Sequence, residues 1–262
     1  MPLPTFANRI VSAMTLSCLK LLATGTSLFL LSCTATQKQV TAYHTAFTTI
    51  DTTLVRDQRM EQWLQPYRRR MDTAMNVVIG YSEVPLSKAQ PECTLGNFMA
   101  DAQLVLAMRR DPATQVSVMN YGGIRLPYIS PGALTKGKMY ELMPFDNKLT
   151  IVEIPGSILR RFCDHMAAWG GWPVAGITFR IRNKKATDIM VGGKPLHDQL
   201  IYHTAVSDYI ANGGDNCDFL KDCKRTYINL FVRDMLIDYI TELNSQGKKL
   251  NVQLEKRISY AE

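Results

Sequence analysis

Two hydrophobic periods run along this chain, and their order restricts the fold more than any other feature of the sequence. Ile228, Phe231, Val232, Met235, Leu236, Tyr239, Ile240 and Leu243 recur at i, i+3, i+4, i+7, i+8, i+11, i+12 and i+15, the pattern of a helix that turns one face to a core. Ile177, Phe179 and Ile181 alternate instead with Thr178, Arg180 and Arg182, the two-residue period of a half-exposed strand. A second helix is predicted from Leu95 to about Arg109, with Leu95, Phe98, Met99, Ala102 and Leu106 on one face and Thr94 as its N-cap. From about Thr53 the positions Leu54, Met60, Trp63, Leu64, Tyr67, Met71, Met75 and Val78 predict an amphipathic helix that Pro66 kinks or splits. Val116-Ser117-Val118-Met119 reads as a short buried strand running into the turn Asn120-Tyr121-Gly122-Gly123. Gly192-Gly193 is expected to turn the chain between Ile189-Met190-Val191 and the strand-rich run from Leu200 to Val206. Helices and strands are mixed without the regular alternation of a doubly wound sheet, so the expected class is α+β, a mixed sheet packed with helices in one domain over residues 53–262.

A chain of 262 residues, 46% hydrophobic and 20% charged, is not wholly disordered and has material for one substantial core. Its formal charge of +7 permits anionic ligands without choosing among them. Arg68-Arg69-Arg70, Lys184-Lys185 and Lys248-Lys249 are short and separated, which suits solvated faces and helix ends better than a nucleic-acid surface.

The N-terminus has the build of an export signal. Arg9 and Lys20 are the charged residues among the first 32, and the uncharged run after Lys20 ends Leu30-Leu31-Ser32-Cys33. That run is too short to span a bilayer and fits a signal peptide. Its last four positions resemble a bacterial lipobox, which implies a signal peptide over 1–32, cleavage before Cys33 and lipidation of that residue. Residues 33–52 would then tether the domain to the membrane. Taking 32 residues and two positive charges from 262 and +7 leaves 230 residues at +5. The expected location is the bacterial cell envelope, lipid-anchored, periplasmic or surface-facing. Cys93, Cys163, Cys217 and Cys223 remain there. Cys217 and Cys223 are near enough to close a small loop, and free buried thiols are the alternative.

Familiar catalytic patterns are missing. A two-metal hydrolase needs several ligands converging on ions roughly 3.5–4 Å apart, whereas His44, His165, His197 and His203 stand in no metal-binding motif. There is no Gly-x-Ser-x-Gly elbow, Walker A loop or dinucleotide fingerprint. Two segments are instead chemically unusual: NYGGIR at residues 120–125 and SDYIANGGDN at residues 207–216. Each sets a Gly-Gly turn beside polar groups, which lets backbone approach a ligand, although Asn212-Gly213 alone is a hairpin signal. Asp215 can accept hydrogen bonds from a vicinal diol such as ribose, and Arg125 can meet phosphate or ribose oxygens. Phe145, in the loop Met143-Pro144-Phe145-Asp146-Asn147, and Tyr209 can stack on the two faces of a base, at about 1–3 kcal/mol per stack.

These segments occur in a particular order: ECTLGNFMAD at 92–101, NYGGIR, LMPFDNKL at 142–149, VGGKPL at 191–196, YHTAVSDYIANGGD at 202–215, and residues 233–240 of the last helix. The array resembles the C-terminal, substrate-recognition domain of 5'-nucleotidases. The resemblance implies a nucleoside clamped between Phe145 and Tyr209, ribose on Asp215, and ligand contacts from Asn120 and Arg125, with Asn212, Gly213 and Gly214 in the same segment. Tyr209 stands where Phe is more usual. The resemblance also implies an N-terminal dinuclear metallophosphoesterase domain, for which there is no room between Cys33 and Thr53. The expectation is therefore a stand-alone lipoprotein with no catalytic residues and no cofactor of its own. It would bind nucleotides for a separately encoded metallophosphoesterase carrying the divalent metals. A non-catalytic nucleoside-binding envelope lipoprotein is the alternative. Many members carry arginines before the Glu of the ECTLGN-like segment, where they help hold phosphate. Here Lys88 is the basic residue of that stretch.

Overall fold

The structure, a computed structural model, describes residues 45–51 and 53–261. The expected signal peptide and Cys33 lie outside them, as does most of the expected tether. Residues from Asp57 onward form one compact unit, built in chain order as follows. Helix α1 (Gln58–Met75) precedes strands β1 (Val78–Ser82) and β2 (Leu86–Ser87), helix α2 (Thr94–Met108) and strand β3 (Thr114–Val118). Then come β4 (Tyr128–Ile129), β5 (Gly132–Thr135), α3 (Lys136–Leu142), β6 (Lys148–Pro155) and α4 (Gly156–Ala168). The remainder is β7 (Val174–Ala175), β8 (Ile177–Arg182), β9 (Lys185–Val191), β10 (Lys194–Pro195), β11 (Ile201–Ser207), α5 (Asp208–Ala211), β12 (Arg225–Phe231), α6 (Val232–Ser245) and β13 (Ile258–Tyr260). The class is α+β. None of the described helices is long and apolar enough to cross a membrane.

A five-stranded sheet, ordered β12-β6-β11-β3-β7, organises the domain. Strand β6 is antiparallel to both β12 and β11, β3 is antiparallel to β7, and β11 and β3 run parallel. Strand β6 buries both faces. Val152 and Ile154 pack with α4 and the second sheet, β10-β9-β8-β13, around Phe162, Trp172 and Phe179. Leu149 and Ile151 face the other way, onto Ala107 of α2. Beyond α2 a second core joins Leu95, Phe98 and Met99 to Met139 of α3 and to Val232, Met235 and Leu236 of α6.

The ECTLGNFMAD segment turns out to be fastening. Cys93, not Thr94, caps α2, its Sγ accepting from the Gly96 amide at 3.3 Å, while the Thr94 hydroxyl accepts from the Ser87 amide at 2.9 Å. Asn97 Nδ2 donates to Glu92 at 2.7 Å and to the Gln253 carbonyl at 3.0 Å. Asp101 takes a two-pronged ion pair from the buried Arg257 at 2.7 and 2.9 Å, the geometry in which guanidinium and carboxylate match best. Burial still pushes the Asp101 carboxyl above the usual range, with Arg257 pulling the other way. Together these contacts hold the C-terminal tail against α2.

Several expectations need correction. Ile228 and Phe231 belong to β12, not to the last helix, which starts at Val232. The helical period continues across the bend, but residues 225–227 find antiparallel partners on β6. Gly192-Gly193 closes a hairpin onto β10, and β11 lies in the other sheet. Helix α1 runs through Pro66 without splitting and buries none of its residues; Trp63, Tyr67 and Met71 are exposed. Helix α4 was not anticipated. Phe162 on α4 is fully buried, meeting Trp172 and Phe219 edge-on with centroids 6.1 and 5.7 Å away. Phe162→Ala is expected to cost about 3–5 kcal/mol, read from the urea unfolding midpoint; a cost below about 1 kcal/mol would show that α4 is not held by this contact.

Candidate functional site

Because β3 and β11 are parallel neighbours, the segments that follow them leave the sheet at the same end, the usual place for a ligand in such sheets. Strand β3 delivers Asn120 and the 3₁₀ turn Tyr121–Gly123, and β11 delivers Ser207 and the short helix α5. Gln103, fully buried on α2, braces this pair. Its Nε2 lies 3.0 Å from Ser117 Oγ, 3.1 Å from the Val118 carbonyl and 3.0 Å from the Ala205 carbonyl. Asn212-Gly213 does not make a hairpin. It ends α5, the Gly213 amide donating back to the Ile210 carbonyl at 3.0 Å with φ at +93°.

Asn120 and Asp215, 95 residues apart in sequence, meet at this sheet end. Asn120 Nδ2 donates to Asp215 Oδ2 at 2.8 Å, and the Tyr209 hydroxyl donates to Asp215 Oδ1 at 2.8 Å. That hydrogen bond to a carboxylate raises the Tyr209 phenol above its usual pKa, so Tyr209 is protonated at neutral pH. Opposite lies the loop after α3. Arg233 of α6, itself buried, donates from Nη1 to the Phe145 carbonyl at 3.3 Å and from Nη2 to Asp146 at 3.1 Å. Its guanidinium also covers the Tyr140 ring at 4.2 Å. Arg125, placed by its amide's bond to the Leu142 carbonyl at 3.0 Å, holds its guanidinium 4.8 Å from the Phe145 ring centroid.

These groups enclose a cavity of about 330 Å³, at the lower end of the range for small-molecule sites. Asn120, Arg125, Phe145, Tyr209 and Asp215 all line it. Asn212, Gly213 and Gly214 do not. The Asn212 Oδ1 accepts from Arg225 at 3.0 Å and Tyr227 at 3.1 Å, Gly213 packs on Lys221 and Asp218, and Gly214 lies beneath the Tyr209 ring. The cavity also takes Gln103, Met119, Met143, Asn147, Ser207 and Val232, which went unrecognised in the sequence. Asn147 had a signal, standing two residues after Phe145 in the same loop; Gln103 and Arg233 had none.

Lys88 joins the site from outside the cavity. Its Nζ donates to the Ile124 carbonyl at 2.8 Å and stands 4.3 Å from the Tyr121 ring centroid. Burial, and then the charge of Arg125, pull its pKa down. The described histidines are spread among structural tasks. His203 bonds Asp111 at 2.5 Å, His197 is exposed, and His165 packs among Trp169, Trp172 and Phe219, its pKa lowered by burial. Among the described residues no group of three or more His, Cys, Asp or Glu side chains could hold a metal ion. Cys93, Cys163, Cys217 and Cys223 are all free thiols, and burial pushes Cys217 up to about 12.

Two aromatic rings, a braced carboxylate and a guanidinium surround one cavity. The 5'-nucleotidase, C-terminal domain family model matches residues 78–222, and the chain belongs to that family. A 5'-nucleotidase of Vibrio parahaemolyticus is 28% identical over 202 residues, covering 71% of this chain and 34% of that protein. A trifunctional nucleotide phosphoesterase of Bacillus subtilis is 26% identical over 219 residues, 76% of this chain and 15% of that protein. The crystal structure of a 5'-nucleotidase precursor from Thermus thermophilus superimposes with a TM-score of 0.67 at 29% identity, over 76% of this chain and 42% of that one. This chain thus spans well under half the length of each of these relatives.

Arg233→Met tests the loop that presents Phe145. Loss of its charge-assisted bonds and ring contact is expected to lower stability by roughly 1–3 kcal/mol, read by thermal melting. The Phe145 loop amides should exchange faster, and unchanged exchange there would remove Arg233 from that role.

Proposed function

We propose that this chain is the nucleotide-recognition component of a 5'-nucleotidase system, binding base and ribose while a separately encoded metallophosphoesterase hydrolyses the phosphate ester. The observation that carries this is the meeting of Asn120, Tyr209 and Asp215 across 95 residues of sequence, opposite Phe145, in one cavity. In this reading the base takes the part of the cavity lined by Phe145 and Tyr209, and the ribose hydroxyls take Asp215. Arg125 and Lys88, two neighbouring cations, then mark the phosphate end. The divalent metals of such a system have no donor set among the described residues. In this proposal hydrolysis belongs to the partner. Export and a lipid anchor at Cys33, which would keep the protein in the cell envelope, belong to the same proposal.

The test is to mix the purified chain with a metallophosphoesterase encoded beside it and follow phosphate release from AMP. Activity should rise, with a complex visible by light scattering; no complex and no rise would overturn the two-component reading. Calorimetry with adenosine and no partner separates the alternative, a nucleoside-binding envelope lipoprotein, which must bind alone. Within the site, Asp215→Ala is expected to weaken adenosine binding by about 1–3 kcal/mol and to leave 2',3'-dideoxyadenosine within about twofold, because only the diol can use the carboxylate. Equal losses on both ligands would remove Asp215 from the ribose role.

A further inference from the structure

The Tyr209 hydroxyl makes two contacts with a single residue. It donates to Asp215 Oδ1 at 2.8 Å and accepts from the Asp215 amide at 3.2 Å. The ring lies flat on Gly214, where a Cβ would stand 2.5 Å from Cε1 and 2.6 Å from both Cδ1 and Cζ, so the contact admits glycine alone. Asp215 and Asn216 have φ values of +48° and +62°, in the left-handed region that most L residues avoid and that Asp and Asn enter more readily than others. Such a backbone persists where its surroundings hold it. Here Asp215 is held through its carboxylate by the Tyr209 hydroxyl and the Asn120 amide, and through its backbone by His165.

Their arrangement leaves the carboxylate a definite remaining capacity. An ionised carboxylate has about four acceptor positions, two on each oxygen. Tyr209 takes one on Oδ1 and Asn120 takes one on Oδ2, which leaves one on each oxygen. Two acceptor positions on two fixed oxygens match two adjacent hydroxyl donors. A ligand with a single hydroxyl satisfies one, and a ligand with none leaves both unmet.

We infer that Tyr209 is a positioning residue whose hydroxyl fixes the Asp215 carboxylate for a cis-2',3'-diol, so that this site selects ribonucleoside ligands over deoxyribonucleoside ones. The inference rests on the base-and-ribose reading above and adds to it the group that sets sugar selectivity. The hydroxyl's role is separate from stacking: the ring supplies the wall, and the oxygen supplies the register of the acceptor.

Tyr209→Phe keeps the ring and removes the oxygen. Calorimetry on wild type and variant with adenosine and with 2',3'-dideoxyadenosine is expected to show adenosine affinity falling on the order of tenfold. The dideoxy ligand should change by less than about twofold, as it makes no use of the carboxylate. Amide exchange on the unliganded proteins gives a second readout, in which the Asp215 amide of the variant should exchange faster while the core amides of β6 stay protected. Equal losses on both ligands would make the hydroxyl a support for the ring or the fold and overturn the inference. Unchanged affinities, or an unchanged Asp215 amide, would overturn it as well. If wild type binds adenosine and the variant keeps full discrimination, this inference alone falls. If wild type binds neither ligand, alone or with the metallophosphoesterase present, the base-and-ribose reading falls and sugar selectivity with it.

Discussion

The parallel pairing of β3 with β11 is the constraint on which the site depends. Parallel strands cannot be joined by a tight turn, so their pairing requires the long excursion between them, which holds β6, α4 and strands β8, β9 and β10 of the second sheet. Gln103 bonds both strands at once, near the paired positions Ser117 and Ala205. A fully buried side-chain amide placed there makes the spacing of the two strand ends a property of the core. Asn120 and Asp215 then meet because their strands already have.

Around that fixed end the domain spends buried charge on holding loops. Arg233 grips the Phe145 loop and Arg257 grips Asp101, and both arginines are buried. Ionic groups withdrawn from water are costly unless their partners are well placed, and these two partners are a loop beside the cavity and the helix that carries Gln103. The Asp215 loop is held by one ring over a glycine and by two hydrogen bonds to one carboxylate, one from Tyr209 nearby and one from Asn120, 95 residues away. Together they fix the orientation of the Asp215 carboxylate.

Where sequence patterns were legible, one buried face decided the local structure. Strand β8 alternates along its whole length, buried at Ile177, Phe179 and Ile181 and exposed between, and α2 lies within a residue of its expected bounds. Where they misled, a partner distant in sequence decided. Ile228 fits the helical period and sits in a strand because β6 supplies hydrogen bonds to that stretch. Asn212-Gly213 carries a hairpin signal and caps a helix because Ser207 starts α5 just before it. Helix α1 shows an amphipathic pattern with none of its residues buried, since periodicity records which residues share a face and not what covers it.

The sequence by itself determined the α+β class, the family, and five residues that line the cavity: Asn120, Arg125, Phe145, Tyr209 and Asp215. Four of them were legible because NYGGIR and SDYIANGGDN set polar groups beside a Gly-Gly turn, and Phe145 because a proline precedes an aromatic residue in a loop. Only the tertiary structure decided that Asn212 is structural, that Gln103 and Arg233 brace the site, and that Tyr209 and Asn120 share one carboxylate. Each of these facts is a contact between segments that no local pattern links. Such contacts exist only once the sheet has put its parallel strands side by side.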